Sequence, residues 1–332
     1  MNYEELPKVS LVIPCRNEEK FIGTFLDSLT KIDYPKEKLE ILFIDGMSDD
    51  RTKEIILSYR DRLLVSVTDN PKKITPVALN IGIKNSSGEY VIILSSHTKI
   101  PDNFVLKNIE TILSTGADCV GGIIETISPS DNILARSISY VLSNRFGVGN
   151  SLFRTGTDRL MEVDTVPYGC YKRGVFERFG YFNESLVRNQ DIELNLRIKK
   201  SGGRIILNPE IKSTYFSRDT LKGLFRQNFW NGFWVFYSLR FAKIPFSIRH
   251  TIPAIFVLTL VSSLLLSNIS FFYILFWLTL GSYFMANIYF SYQIAKSKGF
   301  KYFLHCVISF FTLHISYGLG SIWGLIRYLF GR

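Results

Sequence analysis

Two short apolar runs near the N-terminus, residues 9–14 and 41–44, are each followed at once by polar and acidic residues. The first leads into Cys15-Arg16-Asn17-Glu18-Glu19, the second into Asp45-Gly46-Met47-Ser48-Asp49-Asp50. Runs so short and so uniformly apolar predict buried parallel strands. The apolar spacing that follows predicts helices over residues 21–30, 51–59 and 75–84, with Ser48 or Asp49 as the N-cap of the second. Further strands are predicted over residues 63–67 and 90–94. Strand and helix alternate, so the pattern predicts an α/β fold with a parallel sheet and helices on both faces. In such sheets ligands sit outside the carboxyl ends of the strands, where both acidic loops fall. Carboxylates there can accept hydrogen bonds from a ribose or a base.

Beyond residue 117 the pattern is less regular. Cys119–Ile127 reads as a strand, residues 146–150 as a Gly-rich turn, and residues 191–200 as a helix stopped by Gly202 and Gly203. Residues 204–207 read as another strand. Residues 221–240 then crowd Phe225, Phe229, Trp230, Phe233, Trp234 and Phe236 together, the pattern of a helix lying in a headgroup layer. Residues 251–295 contain no Lys, Arg, Asp or Glu. That length suits two membrane spans of ~20 residues each. A break at Ser267-Asn268-Ile269-Ser270 predicts a hairpin over residues 251–267 and 270–292, and a third apolar segment covers residues 302–326. The predicted organisation is a globular domain over 1–220, an amphipathic region over 221–249 and a membrane region over 250–332.

Charge and composition sharpen this picture. The chain has 332 residues and a net charge of +10, with 47% hydrophobic residues. Arg240, Lys243 and Arg249 precede the hairpin, Lys296, Lys298 and Lys301 follow it, and its turn is uncharged. By the positive-inside rule the first 250 residues stay in the cytoplasm. The third segment ends on Arg327 and Arg332, and whether it spans, re-enters or lies at the interface stays open. The N-terminus lacks the basic and apolar regions of a signal peptide. No G-x-G-x-x-G follows the first strand and no P-loop occurs, which disfavours a dinucleotide dehydrogenase and a P-loop NTPase. No basic, aromatic-interleaved motif points to nucleic acid. Four widely spaced cysteines indicate neither a zinc site nor a disulfide framework.

Seven segments in order resemble the family 2 glycosyltransferases of the GT-A fold. They are Ile13-Pro-Cys-Arg-Asn-Glu-Glu19, Asp45-Gly-Met-Ser-Asp49, Asn80-Ile-Gly82, Phe146-Gly-Val-Gly-Asn150, Glu162-Val-Asp-Thr165, Arg188-Asn-Gln-Asp-Ile-Glu193 and Arg226-Gln227. Within that family the chain is most similar to membrane-anchored glucosyltransferases of succinoglycan-type exopolysaccharide synthesis. The resemblance implies a Rossmann-like mixed sheet followed by C-terminal transmembrane helices. It implies that Pro14, Arg16, Asn17, Glu18 and Asp45 hold the nucleotide, usually uridine diphosphate, and that Asp191 is the general base. An inverting transfer needs one group to take the acceptor proton, and a carboxylate at a helix N-terminus is held in place for it. Glu193, about 200° further round the helix, is expected to pair with a basic residue instead.

One segment departs from the family pattern. A carboxylate motif that binds a divalent cation, manganese or magnesium, usually follows the strand at residues 90–94. Here that place reads Ser95-Ser96-His97-Thr98. Either His97 and diphosphate oxygens hold the metal, or basic groups replace it, with Lys72, Lys73, Lys99, Arg218 and Arg226 as candidates. Ser95, Ser96, Arg226 and Gln227 are the expected contacts to diphosphate or acceptor. The resulting expectation is an inner-membrane bacterial enzyme with a cytoplasmic catalytic domain. It would move a hexose from a nucleotide-sugar donor to a lipid-linked glycan acceptor, in contact with membrane lipid and without nucleic acid. The alternative is a catalytically silent binding subunit of a polysaccharide assembly complex. A processive synthase is disfavoured, because Arg226-Gln-Asn-Phe-Trp230 lacks the arginine of a Gln-x-x-Arg-Trp motif.

Overall fold

The two apolar runs form neighbouring strands, β1 (Val9–Cys15) and β2 (Leu39–Asp45), parallel and in a register that sets Cys15 beside Asp45. The computed structural model describes residues 3–243, 246 and 248–331. The expectations that rest on Met1, Asn2, Arg332 and the Arg249 side chain lie outside the described residues. The chain divides into two compact units, residues 1–125 with 156–215 and residues 126–155 with 216–332. The predicted first domain ran unbroken to residue 220. Residues 126–155 instead join the second unit, so the chain crosses between the units three times.

The first unit is an α/β layer structure. After β1 come α1 (Glu19–Leu29), β2, α2 (Thr52–Leu57), β3 (Val65–Asp69), α3 (Thr75–Asn85), β4 (Tyr90–Ile93), α4 (Phe104–Thr115) and β5 (Cys119–Ile127). The helices α5 to α7 belong to the second unit. The first resumes with β6 (Met161–Glu162), β7 (Cys170–Lys172), α8 (Gly174–Phe179), α9 (Gln190–Lys200) and β8 (Ile205–Phe216). The eight strands make one sheet in the order β3-β2-β1-β4-β7-β5-β8-β6. β1 to β4 are parallel, but β7 runs antiparallel to β4 and to β5, and β6 antiparallel to β8. The sheet is therefore mixed, and the wholly parallel sheet read from strand–helix alternation holds only for its first half. Because β2 and β4 flank β1 on opposite sides, their carboxyl ends frame a topological switch point.

Burial explains the strand choice. Val9, Leu11, Val12 and Ile13 of β1 and Phe43 and Ile44 of β2 are all fully buried. Phe25 of α1 packs edge-on against Phe43. On α3, Gly82 lets the helix lie against β1, since a Cβ there would stand 2.4 Å from Val12 Cγ1.

The second unit is helical: α5 (Ile133–Leu142), α6 (Arg145–Val148), α7 (Leu152–Thr155), α10 (Leu221–Tyr237), α11 (Ile252–Leu265), α12 (Ser270–Lys298) and α13 (Phe303–Phe330). α12 and α13 are long and apolar enough to cross a membrane. They are separated at Gly299, which lies between the segments read from the sequence as 270–292 and 302–326. The expected first arm of the hairpin is shorter, with α11 only 14 residues long. α10, the helix expected to lie in the headgroup layer, is packed along α13. Three glycines make that seam. A Cβ on Gly320, Gly324 or Gly232 would stand 1.9, 2.1 or 2.0 Å from the carbonyl oxygens of Phe229, Phe233 and Tyr317. Gly320-x-x-x-Gly324 therefore lets two backbones touch. His305 and His314 both lie on α13. His314 hydrogen-bonds Tyr283 at 3.1 Å and the Phe146 carbonyl at 2.8 Å, fixing residues 146–150 within the unit.

Gly320→Ala should lower the melting temperature of the detergent-solubilised chain, since overpacking costs about 1–3 kcal/mol against about 1 kcal/mol gained in helix propensity. Gly281→Ala, where nothing lies within 4 Å, should leave it unchanged or raise it. Equal shifts in scanning fluorimetry would contradict the glycine seam.

Candidate active site

The carboxyl ends of β1 and β2 open into two loops tied together by hydrogen bonds. Asp45 is only 2% exposed. Its carboxylate accepts hydrogen bonds from the Ser48 backbone N–H at 3.0 Å and the Ser48 hydroxyl at 2.5 Å. The same hydroxyl oxygen accepts the Asn17 N–H at 3.0 Å, and Asn17 Oδ1 accepts the Asp49 N–H at 3.1 Å. The Glu18 N–H reaches Thr52 Oγ1 at 2.7 Å, and the Glu19 N–H reaches Asp50 at 3.1 Å. Asn17 and Met47 both hold a left-handed backbone, which these tight loops require. The N-cap position of α2 is Arg51, and Asp50 takes the Thr52 N–H at 3.0 Å, which corrects the Ser48 or Asp49 expectation. Ser48 and Asp49 are spent on joining the loops. Cys15 lies below, where burial first, and then Asp45 and Glu18, push its thiol pKa up and keep it protonated.

Pro14 and the exposed Arg16 line the same mouth, with the Arg16 stem lying over Gly46. The end of β4 brings in the third loop. His97 Nδ1 lies 3.2 Å from a Glu18 carboxylate oxygen, and Ser95 Oγ lies 3.2 Å from His97 Nε2. Ser95 is half-buried, whereas Ser96 is only 1% exposed. No cluster of three His, Cys, Asp or Glu side chains occurs among the described residues. Glu18 and His97 are the two side chains here that could donate to a metal. That set fits a divalent cation whose remaining positions are filled by substrate phosphates and water, the usual mode for magnesium.

Asp191 stands in the first turn of α9, preceded by Asn189 in a left-handed conformation. The protein around it strips part of its hydration although the residue keeps an exposed edge, and this desolvation raises its pKa above the ordinary 3.8. Hydrogen bonds from its own N–H and that of Ile192 oppose the shift. Glu193 pairs with Arg197 at 2.7 Å, as expected of a structural carboxylate. Arg197 also donates to the carbonyls of Phe179 and Tyr181. One turn past Asp191, the fully buried Asn195 accepts from the Tyr171 hydroxyl at 3.0 Å and donates to Thr165 at 2.9 Å. These ties fix α9 to β7 and to the Glu162–Thr165 motif.

The basic candidates separate. Lys72 is paired with Glu184 at 3.2 Å, and Lys99 is bridged through its backbone to Thr214. Arg218, Arg226 and Gln227 belong to the second unit, the last two on α10. Several residues escape sequence reasoning because their partners are distant. Glu18 and His97 are 79 positions apart, and Tyr171 and Asn195 are 24 apart. Asn70, at the end of β3, donates its N–H to the Asp45 carbonyl at 2.7 Å and carries a buried Oδ1 with no partner among the described residues. Asn80 binds the backbone N–H and carbonyl of Phe182 at 3.0 and 2.9 Å, which assigns the Asn80-x-Gly82 motif to loop support. Asn80→Ala should cost about 1–3 kcal/mol in denaturant unfolding by orphaning both groups. Lys72→Ala, an exposed pair, should cost less than about 1 kcal/mol. An Asn80 loss no larger than the Lys72 loss would refute this support.

Comparison with known proteins agrees with this architecture. The family model of glycosyl transferase family 2 matches residues 10–180. The dolichyl N-acetyl-alpha-D-glucosaminyl phosphate 3-beta-D-2,3-diacetamido-2,3-dideoxy-beta-D-glucuronosyltransferase of Methanococcus voltae is 31% identical over 276 residues, covering 80% of this chain and 84% of that protein. Succinoglycan biosynthesis protein ExoA of Rhizobium meliloti is 29% identical over 238 residues, covering 70% and 71%. The mannosyltransferase PcManGT of Pyrobaculum calidifontis, solved with GDP-Man and Mn2+, matches 99% of this chain and 89% of its own with a TM-score of 0.62 at 17% identity. S. aureus TarS 1-349 with UDP-GlcNAc matches 92% and 91% with a TM-score of 0.50 at 15% identity. The structural likenesses show the GT-A fold. With its mixed sheet, its two acidic loops and the family match over residues 10–180, the chain belongs to glycosyl transferase family 2 and is a glycosyltransferase.

Proposed function

We propose that this chain transfers a hexose, with inversion, from a UDP-linked donor to a lipid-linked glycan, and that it works at a membrane with its first unit on the cytoplasmic side. The observation that carries the reading is the Asp191 carboxylate, fixed at the head of α9, open to solvent on one edge and raised in pKa. A carboxylate so placed can take the acceptor proton, and a raised pKa makes it a stronger base than an ordinary aspartate. As the acceptor oxygen bonds to the anomeric carbon, its proton passes to Asp191. The bond from that carbon to the diphosphate oxygen breaks on the opposite face, and the nucleoside diphosphate leaves.

The loops around Asp45, with Pro14, Arg16, Asn17 and Glu18, are the nucleotide pocket in this reading. Asp45 supplies an acceptor for ribose or base, and Arg16 supplies positive charge. Ser95 and Arg226, with Gln227 beside it, are assigned to the diphosphate or the acceptor. Glu18 and His97 would hold a manganese or magnesium ion, which would neutralise the departing diphosphate. The neighbours' bound nucleotides differ, GDP-Man in one and UDP-GlcNAc in another, so UDP rests on the resemblance in the acidic loops. The lipid-linked acceptor is supported by the Methanococcus voltae relative, whose name specifies a dolichyl-linked sugar phosphate. The two long apolar helices and the basic flanks support the membrane placement.

Membranes carrying the protein, incubated with radiolabelled UDP-sugars and a lipid extract, should transfer label into the organic-soluble fraction. Asp191→Asn should lower that rate about 10²–10⁴-fold while leaving UDP binding intact. A variant as active as the wild type would sink the general-base role. The pH dependence follows from the sign of the shift. The base must be deprotonated, so the rate should fall as pH drops through a pKa above 3.8. Finding the same acid limb in the residual activity of Asp191→Asn would assign that limb to another group.

A further inference from the structure

The charge of the second unit is one-sided. Residues 220–332 contain no Asp or Glu, and residues 126–155 contain only Asp131. Most basic side chains of this unit stand singly near helix ends, as membrane flanks do. At one place they converge from three elements. Tyr140 on α5 and Tyr302, just after α12, pack edge-to-face with ring centres 5.2 Å apart. Lys298, in the last turn of α12, places its Nζ 5.8 Å from the Tyr140 ring centre. Lys301 places its Nζ 5.3 Å from the Tyr302 ring centre. Arg136, one turn before Tyr140 on α5, lies beside Tyr302.

The negative end of the α12 dipole accounts for Lys298, but not for Arg136 and Lys301, which come from other elements. Nearby counter-charge is scarce. Asp131 meets Arg136 at 2.5 Å, yet its side chain is 94% exposed, and such surface pairs exchange easily. Lys298 and Lys301 have no carboxylate within ion-pair reach among the described residues. Three cations held beside two phenols, short of negative charge, form a receptor for an oxyanion. Its position selects the source. The cluster sits where the apolar stretch of α12 ends, and that stretch is almost wholly uncovered by protein, so lipid chains would lie along it with their headgroups at this level.

We propose that Arg136, Lys298 and Lys301, framed by Tyr140 and Tyr302, bind the phosphate of an anionic membrane phospholipid. The inference is independent of the transfer chemistry.

The test uses the full chain purified in neutral detergent and titrated with short-chain phosphatidylglycerol, with bound lipid counted by native mass spectrometry. The wild type should retain one lipid, and phosphatidylcholine should not replace it. The combined variant Arg136→Gln, Lys298→Gln, Lys301→Gln should bind at least tenfold more weakly. A control that removes equal charge elsewhere in the unit, Lys222→Gln, Lys243→Gln, Arg327→Gln, should bind as the wild type does. Matching circular dichroism would show that both variants fold. Equal losses in the two variants would overturn the proposal in favour of a diffuse basic belt. Retention of phosphatidylcholine to the same extent would overturn it as well. A farnesyl diphosphate probe retained while phosphatidylglycerol is not would move the site from membrane lipid to a lipid-linked diphosphate, and so would also refute it.

Discussion

A carboxylate at the buried end of a parallel strand loses its water and must be given hydrogen bonds in exchange. Asp45 is in that position, and its needs shape everything around it. Ser48 answers them with both its N–H and its hydroxyl, which sets the β2–α2 turn. The same hydroxyl receives the Asn17 N–H, so the turn dictates the β1–α1 loop. That loop in turn carries Glu18 to within 3.2 Å of His97 at the end of β4. One buried carboxylate therefore organises three strand ends.

Asp191 is governed by a different balance. It belongs to the first turn of α9, where the helix dipole and two N–H groups favour its charge, while desolvation opposes them and prevails. The helix is held rigid by Arg197 on one side and by Asn195 with Tyr171 on the other. The charge of the chain is divided along the same lines: acidic chemistry lies in the first unit, and the surplus of basic residues lies on the helices of the second.

Much of this was legible in the sequence, for physical reasons. β1 and β2 are short, almost uniformly apolar runs, buried on both faces, and their pattern leaves little choice. β6 and β7 are two and three residues long and are held by partners far along the chain, so no periodicity announces them. Their antiparallel pairing is what turns the sheet from parallel to mixed. α5 carries a usable apolar face, but its partner α13 lies more than 160 residues away, and local reading gives no hint of the unit to which it belongs. The acidic loops were legible as polar turns at neighbouring strand ends, yet the hydrogen bonds within them were not. Ser48 and Asn17 proved to be joints, and Ser96 is buried. The substitution of Ser95-Ser96-His97 for a carboxylate motif was plain in the sequence. That His97 would meet Glu18 was not, because the pairing depends on the order of β1 and β4 in the sheet.

The central claim is that the nucleotide sits at the ends of β1 and β2 with Asp45 as its anchor. Calorimetric titration of UDP into the detergent-solubilised wild type and into Asp45→Asn, matched by circular dichroism, tests it most directly. The account predicts saturable binding to the wild type and at least tenfold weaker binding to the variant. Equal affinity in the two proteins, with the fold intact, would contradict it.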